Sequence, residues 1–191
     1  MMAGIGHNSG QVIAAGHSWR KHVWTRARAD LLPKLPIEVI RLRVNRAAEL
    51  GLHYKTYAGI RASTGHDLLG FLFSSNALRV LRDGQPLPAD RIAMLGQLRN
   101  ARRSALVHPP VTVDHMARMD VLDRAFAAPG FADSWAAMRD RIKTIVTAEG
   151  GPADRLVMIG DTAFEHDWAE AGRMAGYLGA DAFFGAPSGG T

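Results

Sequence analysis

The stretch RLVMIGDTAFEHDW, residues 155–168, decides the fold class. Its first half is an apolar run that ends at Gly160 and Asp161, and its second half opens with Thr162, followed three residues later by Glu165. A continuous apolar run that ends at a turn signal is typical of a strand buried on both faces. Thr and Glu at this spacing form a capping box, which starts a helix. The stretch therefore predicts a strand that passes directly into a helix.

Two earlier apolar runs, LLGFLF (68–73) and SALVH (104–108), predict two more strands of the same kind. Helical periodicity fills the intervals between the runs and follows the last one. The predicted helices are ADRIAMLGQLRNARR (89–103), DHMARMDVLDRAF (114–126), DSWAAMRDRIKTIV (133–146) and DWAEAGRMAG (167–176). This alternation predicts an α/β fold: a small parallel sheet of about three strands flanked by helices, with an N-terminal helical extension.

Changes in composition divide the chain into four segments. Four glycines and few bulky side chains predict a flexible tail over 1–18, and 187–191 is predicted to be a flexible C-terminus. A basic helical segment over 19–65 precedes a Rossmann-like α/β domain over 66–186. The motif GIGHN (4–8) in this tail resembles the start of short uncharacterised bacterial and phage reading frames. This resemblance implies no activity.

Composition excludes several classes of protein. The 191 residues contain no cysteine, which excludes disulfides and cysteine-ligated metals, so any metal would need His, Asp or Glu ligands. No apolar run approaches the ~18 residues of a membrane span. The N-terminus has no lysine or arginine before a long apolar segment, which is the pattern of a secretory signal. The sequence therefore predicts a cytoplasmic protein with no membrane partner.

Charge is distributed unevenly along the sequence. Residues 1–110 hold 16 Lys/Arg against 6 Asp/Glu, whereas residues 111–191 hold 7 against 12. A basic region of this kind is typical of proteins that bind polyanions, nucleic acid above all, because cations neutralise phosphates. A solvated surface that keeps the protein soluble is the alternative explanation.

The region 43–62 resembles a helix-turn-helix DNA-binding unit. A first helix ends near Gly51, and a second helix follows it and is closed by Gly65. The residues that carry the resemblance are Ala47, Gly51, Leu52, Tyr57 and Ile60. In that family the second helix enters the major groove. An αα-hairpin without a DNA role needs the same packing residues and stays an alternative. The expected nucleic-acid contacts are Arg41, Arg43, Arg46, His53, Lys55, Thr56 and Arg61.

Polar residues follow the three predicted strands at the edge where open α/β sheets bind ligands. The stretch 155–168 resembles the last motif of the haloacid dehalogenase-like phosphohydrolases, in which two aspartates hold magnesium. That resemblance implies metal ligands at Asp161 and Asp167. His108 is a third catalytic candidate because it follows the second predicted strand. Ser74, Asn76 and Thr162 are the candidates for binding a cofactor or substrate.

The phosphohydrolase family also needs a nucleophilic Asp-x-Asp pair after an earlier strand. The upstream half of the chain contains no such pair, and Asp67 precedes its predicted strand instead of following it. Helix capping explains Asp161, Thr162 and Glu165 without any substrate.

Three functional hypotheses follow from the sequence. The leading one is a protein that binds nucleic acid or a nucleoprotein complex through its basic N-terminal helices and needs no cofactor. The first alternative is a magnesium-dependent phosphohydrolase-like enzyme with its site around Asp161. The second is a non-catalytic adaptor that docks to a protein partner through residues 1–18.

Overall fold

The structure, a computed structural model, describes residues 35–185. The predictions for the tail 1–18, the basic stretch up to residue 34 and the terminus 187–191 lie outside these residues. The chain divides into two compact units, Met1–Ile40 and Arg41–Thr191. In the first unit, the described residues are the start of helix α1, where the backbone N–H of Ile40 donates to the carbonyl of Pro36.

The second unit is built on one parallel sheet. Its strands are β1 (Gly70–Ser74), β2 (Arg102–Val107), β3 (Arg124–Ala127), β4 (Leu156–Gly160) and β5 (Gly176–Gly179). They lie in the order β3-β2-β1-β4-β5, and every neighbouring pair is parallel. The α/β class and the parallel sheet are therefore as the sequence predicts.

Seven α-helices accompany the sheet within residues 35–185. They are α1 (Ile37–Glu49), α2 (Tyr54–Thr64), α3 (Ala89–Gln97), α4 (Val113–Ala117), α5 (Trp135–Glu149), α6 (Ala163–Ala171) and α7 (Ala180–Phe184). None of the helices in this part of the chain has the length and apolar content needed to cross a membrane.

Both faces of the central strands are covered, which explains their uninterrupted apolar sequence. Phe71, Phe73 and Ile159 point to one face, where they share a core with residues of α1, α2, α3 and α7. Leu72 and Met158 point to the opposite face, where α5 and α6 cover them. All residues of β1 and β4 are buried.

The two edge strands are the part of the sheet that differs from the prediction, which had about three strands. β3 and β5 have four residues each, and all of these are partly or fully exposed. Edge strands of this length lack the apolar run that marks a buried strand. The helix predicted over 114–126 is wrong beyond Ala117, because α4 ends there and residues 124–126 belong to β3.

The predicted αα-hairpin is present and packs on the sheet. The turn between α1 and α2 contains Gly51 at φ 63°, a left-handed conformation that favours glycine. Gly65 closes α2 at φ 77°, as predicted. Among the apolar residues of α1, Ala47 is buried but Ile37 and Val44 are exposed. The helix therefore enters the core only at its C-terminal end.

Candidate functional site

The order of the strands places the residues after β1, β2 and β4 at one edge of the sheet, here called the carboxyl edge. The chain runs outward from β1 through β2 to β3, and then returns to place β4 on the other side of β1. Such a reversal creates a crevice at the carboxyl ends of the two central strands, where doubly wound folds bind ligands. The sequence prediction that these strand ends share one edge is confirmed.

The polar residues at this edge converge on Glu165. Its Oε1 accepts hydrogen bonds from Asn76 Nδ2 and from His108 Nε2, both at 2.9 Å. Its Oε2 accepts the backbone N–H groups of Asp161 at 2.6 Å and of Thr162 at 3.1 Å. Four donors thus surround a carboxylate that has no solvent exposure.

The local sequence explains how Glu165 reaches this position. The Thr162 hydroxyl accepts the N–H of Glu165, and the Glu165 side chain returns to the N–H of Thr162, which completes the predicted capping box. Gly160 leaves room for this arrangement. A Cβ at Gly160 would lie 2.6 Å from the ring of Tyr177 and 3.0 Å from the Glu165 side chain. The transition from strand to helix at the end of β4 is therefore confirmed.

The ionised form of Glu165 is the stable one. Burial raises the pKa of this carboxyl, but hydrogen bonds from His108, the Asp161 backbone and Ser74 outweigh burial, so the pKa lies below its usual value. Burial and the charges of Glu165 and Asp161 raise the pKa of the neighbouring Tyr177. A carboxylate that keeps its charge and has four donors is a structural acceptor, and it is poorly suited to release or take up a proton.

Aromatic rings cover the network on the side of α6. His108 stacks on Trp168 with ring centroids 4.9 Å apart, and Phe164 meets Trp168 edge-on at 5.5 Å. Phe131 continues the row over Phe164 at 5.3 Å. This packing fixes the imidazole of His108 against the core. His108 therefore has the surroundings of an orienting residue in a packed network.

The Asp161 side chain turns away from this network towards Arg79. Arg79 Nη1 donates to Asp161 Oδ2 at 2.6 Å, and Arg79 Nη2 lies 3.5 Å from Asp181 Oδ1. Arg79 has φ 59°, a conformation uncommon for a residue with a side chain. Asp161 reaches Asn76 and His108 only indirectly, because its backbone shares their partner Glu165.

The residues at this edge do not fit magnesium. The guanidinium of Arg79 already neutralises the Asp161 carboxylate. Ser74, the last residue of β1, and Asn76, which follows the strand, have uncharged side chains and would bring no negative charge to a metal ion. Within residues 35–185, one group of three potential ligands has its atoms within 4.8 Å of one another: His166, Asp167 and Glu170 on α6. This group contains Asp167 but not Asp161. Asp161 therefore belongs to no group of three potential ligands among the described residues.

The second candidate site is the hairpin of α1 and α2. Arg46, predicted to contact nucleic acid, is engaged within the fold. Its guanidinium donates to Asp67 at 3.0 Å, to Glu49 at 2.8 Å, and to the carbonyls of Leu68, Arg99 and Asn100. The hydroxyl of the buried Tyr57 also donates to Asp67, at 2.8 Å. Arg46 and Tyr57 thus anchor the two helices to the loops that precede β1 and β2.

The other predicted contacts of the hairpin differ in exposure. Arg41, His53 and Lys55 are exposed, and Arg43, Thr56 and Arg61 are half-buried. Arg61 Nη1 lies 3.9 Å from Asp67, so it belongs partly to the same anchor. Ala47, Leu52 and Tyr57, three of the residues that carry the helix-turn-helix resemblance, are buried as packing positions.

No protein-family model matches this chain, and no curated protein or solved structure shows significant similarity to it.

Two features of these sites have no signal in the sequence. The pairing of Arg79 with Asp161 joins residues 82 positions apart and depends on the left-handed backbone of Arg79. The position of Trp168 beneath His108 depends on the order of the strands. Glu165 did have a signal, the capping-box spacing, which predicts its contact with Thr162 but neither of its side-chain partners.

Proposed function

We propose that this protein binds nucleic acid, or the nucleic acid of a nucleoprotein complex, through the hairpin of α1 and α2. The observation that carries the proposal is that some residues of the hairpin anchor it to the domain while its cations on the outer side are exposed. Arg46 and Tyr57 hold the two helices to the domain, whereas Arg41 and Lys55 stay exposed. An anchored pair of helices with outward cations is suited to phosphate contacts, because little ordering is required on binding.

Charge in the same half of the chain supports the proposal. Residues 35–110 hold 11 Lys/Arg against 5 Asp/Glu, so the basic excess is not confined to the N-terminal stretch before them. Two of these acids, Glu49 and Asp67, are already paired with Arg46. Glu49 and Asp67 are therefore not free to compete with a polyanion for the exposed cations of the hairpin.

The outward face of α2 favours binding without sequence preference. Its exposed residues are Lys55, Gly59, Ala62 and Ser63, which provide a single charge and no long amide side chain. Direct reading of bases relies mainly on Arg, Asn, Gln and Lys side chains that reach base edges in a groove. The hairpin is thus better equipped for the phosphate backbone than for base edges.

The proposal is tested by fluorescence anisotropy with a 20-base-pair duplex and a single-stranded RNA over a salt series. The triple variant Arg41→Gln/Arg43→Gln/Lys55→Gln should weaken binding and flatten its dependence on salt by about one unit per lost phosphate contact. The matched control replaces three exposed cations of α5, in Arg139→Gln/Arg141→Gln/Lys143→Gln. Equal affinity of wild type and triple variant would contradict the proposal.

The alternatives have less support. A phosphohydrolase site at Asp161 would have to displace Arg79 before it could hold a metal ion. Magnesium-dependent turnover of a phosphate ester that vanishes in Asp161→Asn would favour that alternative over ours. Docking of an adaptor through residues 1–18 concerns a part of the chain outside the described residues.

A further inference from the structure

We infer that the nucleic-acid contact surface extends from the hairpin onto the opposite end of the sheet, the amino edge where the strands begin, through Arg99 and Arg102. This inference rests on the proposed function and adds to it a second contact region, on elements outside the hairpin. Both residues are exposed, and neither belongs to the helix-turn-helix resemblance. Their partner would be the phosphate backbone of the same nucleic acid.

The hairpin and the amino edge form a continuous surface. The backbone N–H of Arg99 donates to the carbonyl of Glu49 at the end of α1, at 2.8 Å. Arg46 binds the carbonyls of Arg99 and Asn100, at 3.3 Å and 3.1 Å. Arg43 lies one helical turn before Arg46 on the same side of α1. The loop that carries Arg99 therefore lies directly against the helix that carries the proposed phosphate contacts.

Arg102 extends this surface across the start of the sheet. It is the first residue of β2, and its backbone N–H donates to the carbonyl of Leu69 at 2.9 Å. Its guanidinium lies near Gly150 and Gly151, where a Cβ would be 4.0 Å and 3.9 Å from Nη1. Arg102 follows Arg99 by three positions, so their Cα atoms are at most about 11 Å apart.

Four acidic side chains at the amino edge already have side-chain partners. Glu49 and Asp67 bind Arg46, Asp123 binds Arg103, and Asp154 lies 3.8 Å from His66. Within residues 35–185, no carboxylate lies within 4.0 Å of the guanidinium of Arg99 or Arg102. The guanidinium groups of Arg99 and Arg102 are therefore available to an external anion, whereas Arg46 and Arg103 are already paired with carboxylates.

The test uses the full chain and the double variant Arg99→Gln/Arg102→Gln, with the same duplex over a salt series. Two lost phosphate contacts should flatten the plot of log affinity against log salt by about two units and weaken binding roughly 60-fold at 0.1 M salt. The control Arg139→Gln/Lys143→Gln removes the same charge from α5, on the other face of the sheet, and should bind as wild type. Thermal unfolding of both variants checks that the fold is unchanged.

The outcomes separate this inference from the function on which it rests. No duplex or RNA binding by the wild type overturns both. Binding that is lost in the hairpin variant but has an unchanged salt slope in Arg99→Gln/Arg102→Gln overturns the inference alone. A third arm uses vesicles of equal phosphatidylserine and phosphatidylcholine. If the double variant loses vesicle binding while its duplex binding equals that of wild type, the surface is a membrane contact and the inference is wrong.

Discussion

The two ends of the sheet use charged residues in opposite ways. At the carboxyl edge, Glu165 is fully buried with four hydrogen-bond donors, and Asp161 is paired with Arg79. At the amino edge, the carboxylates are paired but Arg99 and Arg102 are exposed. The end of the fold where parallel sheets commonly bind ligands is thus closed by internal contacts, and uncompensated charge lies at the other end.

This difference separates a polar cluster from a functional site. Glu165, His108 and Asn76 resemble catalytic residues by type and by position after strands. Their hydrogen bonds, however, go to one another and to a helix N-terminus, so the Glu165 carboxylate is already fully occupied by donors of the fold. The residues that can bind a charged partner are those whose own charge is not paired within the fold.

Replacing Glu165 should have the largest effect, because it would break the closed edge. Glu165→Leu leaves the donors of Asn76 and His108 and two backbone N–H groups without a partner. We expect a loss of about 3–5 kcal/mol in the free energy of unfolding, measured by urea denaturation. Glu170→Leu, at an exposed position of the same helix, is the control and should stay within about 0.5 kcal/mol of wild type. A stable Glu165→Leu protein would show that the network does not hold this edge together.

Arg46 and Arg41 should separate structural from contact cations in the hairpin. Arg46→Gln removes hydrogen bonds to two carboxylates and three carbonyls and should cost about 2 kcal/mol of unfolding free energy. Arg41→Gln should leave unfolding unchanged within about 0.5 kcal/mol and should weaken duplex binding. If Arg46→Gln unfolds like wild type but loses binding, Arg46 is a contact after all.

The contribution of Glu165 to the free energy of unfolding should decrease at acidic pH. Because the folded pKa of Glu165 lies below its usual value near 4.5, its stabilisation is complete above that pH and is lost as the pH falls through the folded pKa. The free energy of unfolding of wild type should therefore exceed that of Glu165→Gln at pH 7, and the difference should shrink towards pH 3. A difference that stays constant over this range would mean that Glu165 contributes no ionised form.

Breaking the ion pair between Arg79 and Asp161 should have the smallest effect. Both side chains are partly exposed, and solvent screens their attraction. Asp161→Asn should therefore cost roughly 0.5 kcal/mol in thermal unfolding. Magnesium should shift the melting temperatures of wild type and of Asp161→Asn by the same amount. A stabilisation by magnesium that needs Asp161 would restore the metal hypothesis.

The sequence predicts the central strands and the capping box because their signals are local. The run 156–160 is long and apolar, and the spacing of Thr162 and Glu165 is specific for a helix start. The edge strands β3 and β5 are short and half-exposed, so neither has a pattern to detect. Contacts with residues distant in the sequence determine which charged side chains remain unpaired, and local patterns do not predict such contacts. Arg46 and Arg41 are therefore equivalent in the sequence and different in the structure.

Hydrogen–deuterium exchange with and without a 20-base-pair duplex tests the central claim most directly. We predict slower exchange of backbone amides in α1, α2 and residues 98–103 when the duplex is bound, with no change in residues 74–79 and 160–166. Protection at the carboxyl edge, or no protection anywhere at saturating duplex, would contradict the assignment of binding to the hairpin and the amino edge.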